Sequence, residues 1–258
     1  MAKKVWISAL NKDEKSVQAV MAACRKYALE PDGHFWSDDV EKMSWVEAVP
    51  ALKNKDVALW AIIGKPEDFS RDKTRFGLSM LTVAATARRK GRLPMLIIST
   101  DGEIAAQSLP LLLKDADIVP LAGANLGAKL VSRANQPAKA PTAEYRLNVH
   151  GLPGIGLWFE IGPASLPWQG IMAGVNGAII DAHGVGPADG IPERAVLEYP
   201  VKGMKIQLGD AEFDTWAVKN NLDSSQSYYV RCQGMPRSLL FGQFSDDDQA
   251  EVHVLGIY

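Results

Sequence analysis

Seven apolar residues, VALWAII at Val57–Ile63, follow Asp56 without a polar interruption. A run of this length and composition is typical of a strand that is covered on both faces, as in a parallel sheet. Shorter β-rich runs stand at Val5–Ala9 before it and Met95–Ser99 after it, and segments with helical spacing lie between them. This alternation predicts βα units, with Val57–Ile63 as the central strand of a parallel, flavodoxin-like sheet flanked by helices.

Three helices of this half follow from local signals. Asp13 is suited to an N-cap, and apolar residues recur with helical spacing from Val17 to Tyr27. A second helix is expected from Ser44 to Leu52, with Pro50 kinking it or ending it early. A third is expected from about residue 74 to residue 90, where a glycine follows.

Composition and charge exclude several classes of protein. The 258 residues include 28 Lys and Arg and 30 Asp and Glu, so no global basic field is available to bind a nucleic-acid backbone. The apolar runs are shorter than the roughly 20 residues that span a bilayer, and no export signal precedes the first strand. Cys24 and Cys232 match neither a disulfide framework nor a metal-ligand spacing. We expect a cytoplasmic protein with no membrane partner.

The composition changes after the α/β half. Residues 132–144 are polar and alanine-rich with two prolines, which predicts a linker. This linker would join an N-terminal domain, residues 1–131, to a second domain, residues 145–258. The second domain is dense in Gly and Pro between short apolar runs, and this pattern predicts a β-rich fold.

Local patterns give some detail of the β-rich domain. Asn176 and Gly177 stand between two strand-like runs, which predicts a hairpin with a type I′ turn. A further strand is predicted at Val196–Tyr199. The segment Phe213–Leu222 is the one part of this domain in which a helix is suggested.

Motifs of common catalytic and metal sites are absent from the sequence. No Gly-x-Gly-x-x-Gly follows the first strand and no Gly-x-x-x-x-Gly-Lys occurs, so the usual phosphate cradles are missing. The four histidines form no zinc-ligand pair, and no Gly-x-Ser-x-Gly indicates a serine hydrolase. We therefore predict no metal site. Asp181 and His183, two residues apart on one strand, would share a face as an acid and a base.

Several short stretches of the first half come in a characteristic order. They are Val5-Trp6-Ile7-Ser8 with Asn11-Lys12-Asp13, His34 to Val40, Ser44-Trp45, the central strand, Leu93 to Ile98, Leu109-Pro110 and Ile118 to Leu121. Together, across residues 4–121, they resemble a Toll/interleukin-1 receptor (TIR) domain. The resemblance implies a parallel α/β fold whose loop after the second strand contacts other domains. It also implies ligand or interface roles for a set of residues at that edge: Ser8, Trp36, Ser37, Asp38, Asp39 and Trp45.

Many TIR domains cleave the bond between nicotinamide and ribose in NAD with a glutamate on the helix after the central strand. The corresponding stretch of this chain, residues 74–88, contains no carboxylate, and Leu78, Ser79 or Met80 stands near the expected position. None of these side chains stabilises the positive charge that develops on the sugar, so the barrier to cleavage rises. The carboxylates left to substitute lie in the preceding loop: Glu67, Asp68 and Asp72.

The resemblance and the missing glutamate together favour a non-catalytic function. We expect the TIR-like half to serve in signalling, self-association or nucleotide sensing, with a homo-oligomer or another TIR-like domain as partner and NAD or a related nucleotide as ligand. The β-rich half would recognise a partner or a ligand. The alternative is an enzyme, either an NAD glycohydrolase or nucleoside-processing relative with its acid at Glu67 or Asp68, or an activity around Asp181, His183 and Glu193.

Overall fold

The computed structural model describes residues 2–87, 89, 91–136, 143–244 and 251–258. Packing divides the chain into two compact units, residues 1–141 together with Tyr258, and residues 142–257. The first unit contains a parallel sheet with helices, and the second contains two antiparallel sheets.

The N-terminal unit is built on a parallel sheet with the strand order β2-β1-β3-β4-β5. Its strands are β1 Lys3–Ala9, β2 Leu29–Phe35, β3 Val57–Gly64, β4 Met95–Ser99 and β5 Asp117–Pro120. This is the flavodoxin-like order, and the fold class predicted from the alternating pattern is confirmed. The apolar run forms β3, and every residue from Leu59 to Gly64 is buried because helices cover both faces of the sheet.

Helices follow most of these strands. They are α1 Glu14–Lys26, α2 Val49–Lys53, α3 Pro66–Ser70, α4 Asp72–Thr86 and α5 Leu126–Ala134, with 3₁₀ turns at Ser44–Ala48, Ala106–Ser108 and Leu111–Leu113. Asp13 caps α1 as predicted, since its carboxylate accepts from the backbone N–H of Ser16 at 3.2 Å. The apolar stripe of α1, including Val20 and Cys24, packs with α5 in the core on one face of the sheet.

Three details of the helices differ from the sequence predictions. Pro50 lies in the first turn of α2, where its missing N–H is harmless, so it begins a helix and does not end one. Helix α4 ends at Thr86 and not near Lys90, and both Arg88 and Lys90 lie outside the described residues. Helix α5 was not predicted and extends into the segment assigned to the linker, of which residues 137–142 also lie outside the described part.

The C-terminal unit contains one sheet with the order β10-β11-β8-β13-β14 and another with the order β6-β7-β12-β9. Their strands are β6 Tyr145–Leu152, β7 Gly156–Pro163, β8 Trp168–Asn176, β9 Ile179–Pro187, β10 Val201–Leu208, β11 Ala211–Leu222, β12 Gln226–Gln233, β13 Ser238–Gly242 and β14 Val252–Gly256. All the pairs are antiparallel. The β-rich character predicted for this half is confirmed.

The hairpin predicted at Asn176 and Gly177 is wrong. Strand β8 pairs with β11 and β13, whereas β9 pairs with β12 in the other sheet, so the turn carries the chain from one sheet to the other. Gly177 does adopt a positive φ of 76°, as the dipeptide suggests. A local turn preference specifies backbone angles and does not specify which strand becomes the partner.

Two further predictions for this unit are wrong. The segment Phe213–Leu222 belongs to β11, and the burial of side chains along the first part of that strand alternates with the period of two expected for a strand. The segment Val196–Tyr199 is not a strand but part of the irregular connection between β9 and β10. In Phe213–Leu222, pairing with β10 and β8 overrides the weak local preference for a helix.

Candidate functional site

Sheets of this strand order bind ligands at the carboxyl ends of β1 and β3. The two strands are neighbours, with Ala9 opposite Ile63. Helix α1 follows β1 and packs with α5, whereas α3 and α4 follow β3, and α4 packs with both α2 and α3. The chain therefore leaves the two strands toward opposite faces, and the loops after them meet at this edge. We refer to residues 10–13 and 64–71, together with Asp38, as the switch-point cluster.

Asp68 is the buried centre of the switch-point cluster, with a relative exposure of 5%. Its Oδ2 accepts hydrogen bonds from the side-chain amide of Asn11 at 2.7 Å and from the backbone N–H of Lys65 at 2.8 Å. Its Oδ1 accepts from Nη2 of Arg71 at 3.0 Å. The carboxylate therefore joins the loop after β1 to the loop after β3 and has a donor on each oxygen.

Asp38 holds the loop after β2 against the same cluster. Its Oδ1 accepts from the indole N–H of Trp36 at 2.7 Å, and the hydroxyl of Thr74 lies within 3.0 Å of both of its oxygens. Nε of Arg71 lies 3.5 Å from Oδ2. One half-exposed guanidinium thus lies between two carboxylates, so the negative charge at this edge is partly compensated from within the chain.

Trp36 packs against helix α4 and is not exposed at the surface. Only 8% of it is exposed. A Cβ at Gly77 would lie 2.7 Å from Cζ2 of the indole, so the close approach of this ring requires glycine at that position. Trp36 therefore positions Asp38 and the following loop, and its interface role implied by the resemblance is not supported by its burial.

The stretch of α4 where the resemblance places a glutamate faces the interior. Leu78, Ser79 and Met80 are each fully buried. Glu67 lies on α3 and is exposed, with no hydrogen bond or ion pair to any residue that the structure describes. The three acids suggested as substitutes lie on helices and not in a loop. Asp68 belongs to the switch-point cluster, whereas Glu67 on α3 and Asp72 at the start of α4 are exposed.

Ser8 and Trp45 are also buried, at 0% and 3% exposure, so neither of these predicted contact residues reaches the surface. The hydroxyl of Ser8 accepts from the indole N–H of Trp60 at 2.9 Å and lies 2.9 Å from Nε2 of His34. Burial lowers the pKa of His34, and the nearby charge of Glu47 opposes this only in part. Ser8 is therefore a buried hydrogen-bonding group, because both faces of β1 are covered at this end and the consecutive residues Ile7, Ser8 and Ala9 are all buried.

Two predicted contact residues do lie at the surface, in the loop from Ser37 to Met43. Ser37 is exposed, and the side chain of Asp39 is 36% exposed. The backbone N–H of Lys42 and its ammonium group, 3.1 Å away, lower the pKa of Asp39. Met43 adopts a left-handed φ of 51°, which closes the loop before the 3₁₀ turn. This compact, charged loop is the part of the predicted interface that solvent reaches.

Asp181 and His183 do not form an acid–base pair. Both oxygens of Asp181 are engaged, by Nε of Arg231 at 2.7 Å and by the side-chain amide of Gln233 at 2.6 Å. His183 instead has Nδ1 2.8 Å from the hydroxyl of Tyr228. A register shift in the pairing of β9 with β12 lies at this point of the strand, and such irregularities re-aim side chains.

Sequence reasoning missed three of the side chains that engage the two aspartates. Asn11 and Arg71 belong to the switch-point cluster and Thr74 lies beside it on α4, yet no motif marks them. Position in the sequence was an available signal for two of them. Asn11 lies two residues after the end of the first strand, and Arg71 lies three residues after Asp68. Positions just after parallel strands meet at one edge of the sheet.

The described residues contain no group of three or more His, Cys, Asp or Glu arranged to hold a metal ion. No helix in the described part of the chain combines the length and the apolar character needed to cross a membrane.

Comparisons with known proteins identify no family. No protein-family model and no curated protein matches the chain. Among solved structures, a pilus assembly-related protein of Burkholderia pseudomallei is similar over 54% of this chain and 94% of its own, with 16% identity and a TM-score of 0.33. A two-domain esterase active on acetylated mannans covers 99% of this chain and 90% of its own, with 10% identity and a TM-score of 0.32. The same esterase crystallised with mannopentaose gives a TM-score of 0.29.

Proposed function

We propose that the N-terminal unit is a TIR-like association and nucleotide-sensing module that holds NAD or a related nucleotide without cleaving it. The β-rich unit, in this proposal, recognises a partner or a second ligand. The ligand would lie at the switch-point cluster, and the loop from Ser37 to Met43 would contact another copy of the module.

The observation that carries the proposal is the engagement of both carboxylates by Arg71. Cleavage of a nicotinamide–ribose bond develops positive charge on the sugar, and an enzyme stabilises it with a carboxylate oxygen that faces the substrate. At the switch-point cluster, Asp68 has donors on both oxygens and Asp38 is held by Trp36, Thr74 and Arg71. These carboxylates are used to fix the loops, and the guanidinium of Arg71 partly compensates their charge.

Helix α4 supports the same reading. Its positions 78–80 are packed into the interior, so an acid does not reach the edge from the place where the resemblance expects one. The exposed charges of the loop after β2 suit reversible contacts between modules. Exposed charges at an interface mainly raise the association rate and the specificity, and they contribute little to the affinity.

The rival function is NAD cleavage with an acid from α3, and Glu67 is the exposed candidate. Incubation of the purified chain with NAD and chromatographic measurement of nicotinamide separates the two functions. The proposal expects no nicotinamide above a protein-free blank. Release in molar excess over protein, abolished in a folded Glu67→Gln variant, would establish the rival.

The association part of the proposal has its own test. Sedimentation velocity with and without NAD should show a concentration-dependent oligomer that Asp39→Arg weakens. Asp56→Arg is the matched control, since Asp56 is exposed at the opposite end of β3. A chain that stays monomeric at all concentrations, with NAD and without it, contradicts this part.

A further inference from the structure

The β-rich unit contains a buried carboxylate, Glu160, on the face of β7 that carries polar side chains. Only 3% of Glu160 is exposed. Its Oε2 lies 2.7 Å from Nε2 of His150 and accepts from Nδ2 of Asn148 at 3.2 Å. Its Oε1 accepts from the hydroxyl of Ser227 at 3.0 Å and from the backbone N–H of Asp189 at 2.9 Å.

These partners keep Glu160 ionised. Burial raises its pKa, but the hydrogen bonds from His150, Ser227 and Asn148, together with the charge that His150 carries when it is protonated, outweigh burial and lower the pKa overall. A carboxylate held in this way is a fixed hydrogen-bond acceptor. It therefore orients whichever donor reaches it from the neighbouring strand.

The carboxylate fixes the tautomer of His150. An ionised Glu160 accepts the proton of Nε2, so the lone pair of the neutral imidazole lies on Nδ1. The side chain of His150 is 20% exposed, and no residue that the structure describes forms a hydrogen bond with Nδ1. His150 lies on β6, the edge strand of its sheet, directly opposite Trp158, and its ring lies 6.3 Å from that of Tyr229. The imidazole of His150 is thus partly exposed, with Nδ1 unpaired among the described residues, and it has aromatic neighbours on the same face.

We propose that His150 is the reactive base of a second site, in the β-rich unit, that accepts the acyl group of small phenolic esters, with Glu160 as its positioning residue. In the first step Nδ1 attacks the ester carbonyl carbon, the bond to the phenolic oxygen breaks and phenolate leaves. Water then attacks the acyl carbon of the acyl-imidazolium and its oxygen forms the new bond, while the bond from that carbon to Nδ1 breaks and Nδ1 regains its lone pair. The carboxylic acid is released, and the remaining proton of water passes to the solvent, where it balances the charge of the departed phenolate. Glu160 stabilises the charge on the ring during acylation through the Nε2 proton.

His183 in the same unit is a suitable internal control. Its Nδ1 lies 2.8 Å from the hydroxyl of Tyr228, and its Nε2 is buried and without a partner in the described part of the chain. The ring packs edge-on against Trp216 at 4.7 Å. Neither nitrogen of His183 is therefore open to an ester.

The proposal is tested with the full chain and p-nitrophenyl acetate as the probe. His150→Gln should lower the protein-dependent release of p-nitrophenolate by at least about a hundredfold, the lower range of what a positioned catalytic group contributes, whereas His183→Gln should leave it unchanged. A folded His150→Gln variant with the original rate, or an unaltered chain without any such release, overturns the proposal.

Two measurements keep the proposal testable if a variant fails to fold. With diethyl pyrocarbonate and the unaltered chain, peptide mapping should show acylation of His150 before His183; the reverse order contradicts the site. Imidazole ¹⁵N spectra should show the proton of His150 on Nε2, and Glu160→Gln should change that signature and lower the rate together. An Nδ1–H tautomer in the unaltered chain would exclude the base.

Discussion

Asp68→Asn tests whether the buried acid of the switch-point cluster is a structural connection or a reacting group. The change keeps the shape of the side chain but replaces one oxygen with an NH₂ group and removes the charge. Oδ2 serves two donors, Asn11 and Lys65, and Oδ1 serves Arg71. In either orientation of the amide, its NH₂ group faces a donor.

The magnitude follows from these three bonds. In the better orientation the amide oxygen keeps the donors from Asn11 and Lys65, and each bond loses the advantage of a charged acceptor, about 1 kcal/mol. The NH₂ group then faces Arg71, whose side chain is 49% exposed, so losing that pair costs about 0–1 kcal/mol. We expect the free energy of unfolding to fall by about 2–3 kcal/mol.

Urea unfolding followed by tryptophan fluorescence measures this change. Glu67→Gln, one residue earlier and exposed, is the matched control and should stay within about 0.5 kcal/mol of the original chain. In the proposed function neither variant alters NAD cleavage, because there is none to alter. An Asp68→Asn chain as stable as the original but deprived of NAD cleavage would refute the reasoning, since Asp68 would then be a catalytic acid.

Three further variants test the packing and the charges. Gly77→Ala sets a methyl group 2.7 Å from the indole of Trp36, and we expect urea unfolding to show a net loss of about 1–2 kcal/mol after the gain in helix propensity. Arg89→Gln removes hydrogen bonds to three backbone carbonyls, which should lower stability by about 1–2 kcal/mol, whereas the exposed ion pair of Arg92 makes Arg92→Gln a nearly neutral control in the same assay. Burial, with a contribution from a nearby lysine, lowers the pKa of His183 to about 4; the unfolded chain therefore takes up the proton first, and stability falls as the pH drops from about 6.5 toward 4. Thermal unfolding at a series of pH values should show that His183→Gln reduces the loss of unfolding free energy between about pH 6.5 and pH 4 by about 1–2 kcal/mol. An unchanged loss would contradict the lowered pKa of His183.

The sequence was informative where a local pattern determines the environment. The apolar run at Val57–Ile63 predicts a strand covered on both faces, and the strand order around it follows from alternating βα units. The cap at Asp13 is likewise a local interaction, since donor and acceptor lie three residues apart. Such features depend on few distant contacts, and the structure confirms them.

The predictions were wrong where contacts with residues distant in sequence determine the secondary structure or the strand pairing. Asn176 and Gly177 have the right backbone preference for a hairpin, yet the strands on either side pair in different sheets. The segment Phe213–Leu222 becomes a strand because β8 and β10 pair with it on both edges. Local propensity is weaker than the sum of such ladder contacts.

The candidate site was only partly predictable for the same reason. Asp38 was predicted as a ligand or interface residue and Asp68 as a substitute acid, but Arg71, which partly compensates the charge of both, is marked by no motif. Glu160 was missed altogether, since its partners come from two other strands, β6 and β12, and one connection, and these are distant in sequence from one another. The resemblance did not predict that Ser8 is buried, because a serine in a strand can face either the core or the solvent.

Proton NMR of NAD together with the full chain tests the proposed function most directly. In the same sample, saturation transfer from the protein reports binding of NAD, and the resonances of free nicotinamide report cleavage. We expect saturation transfer from the protein to NAD and no growth of the nicotinamide signals above the protein-free sample. Steady growth of those signals beyond one equivalent of protein would contradict a module that holds its ligand without cutting it.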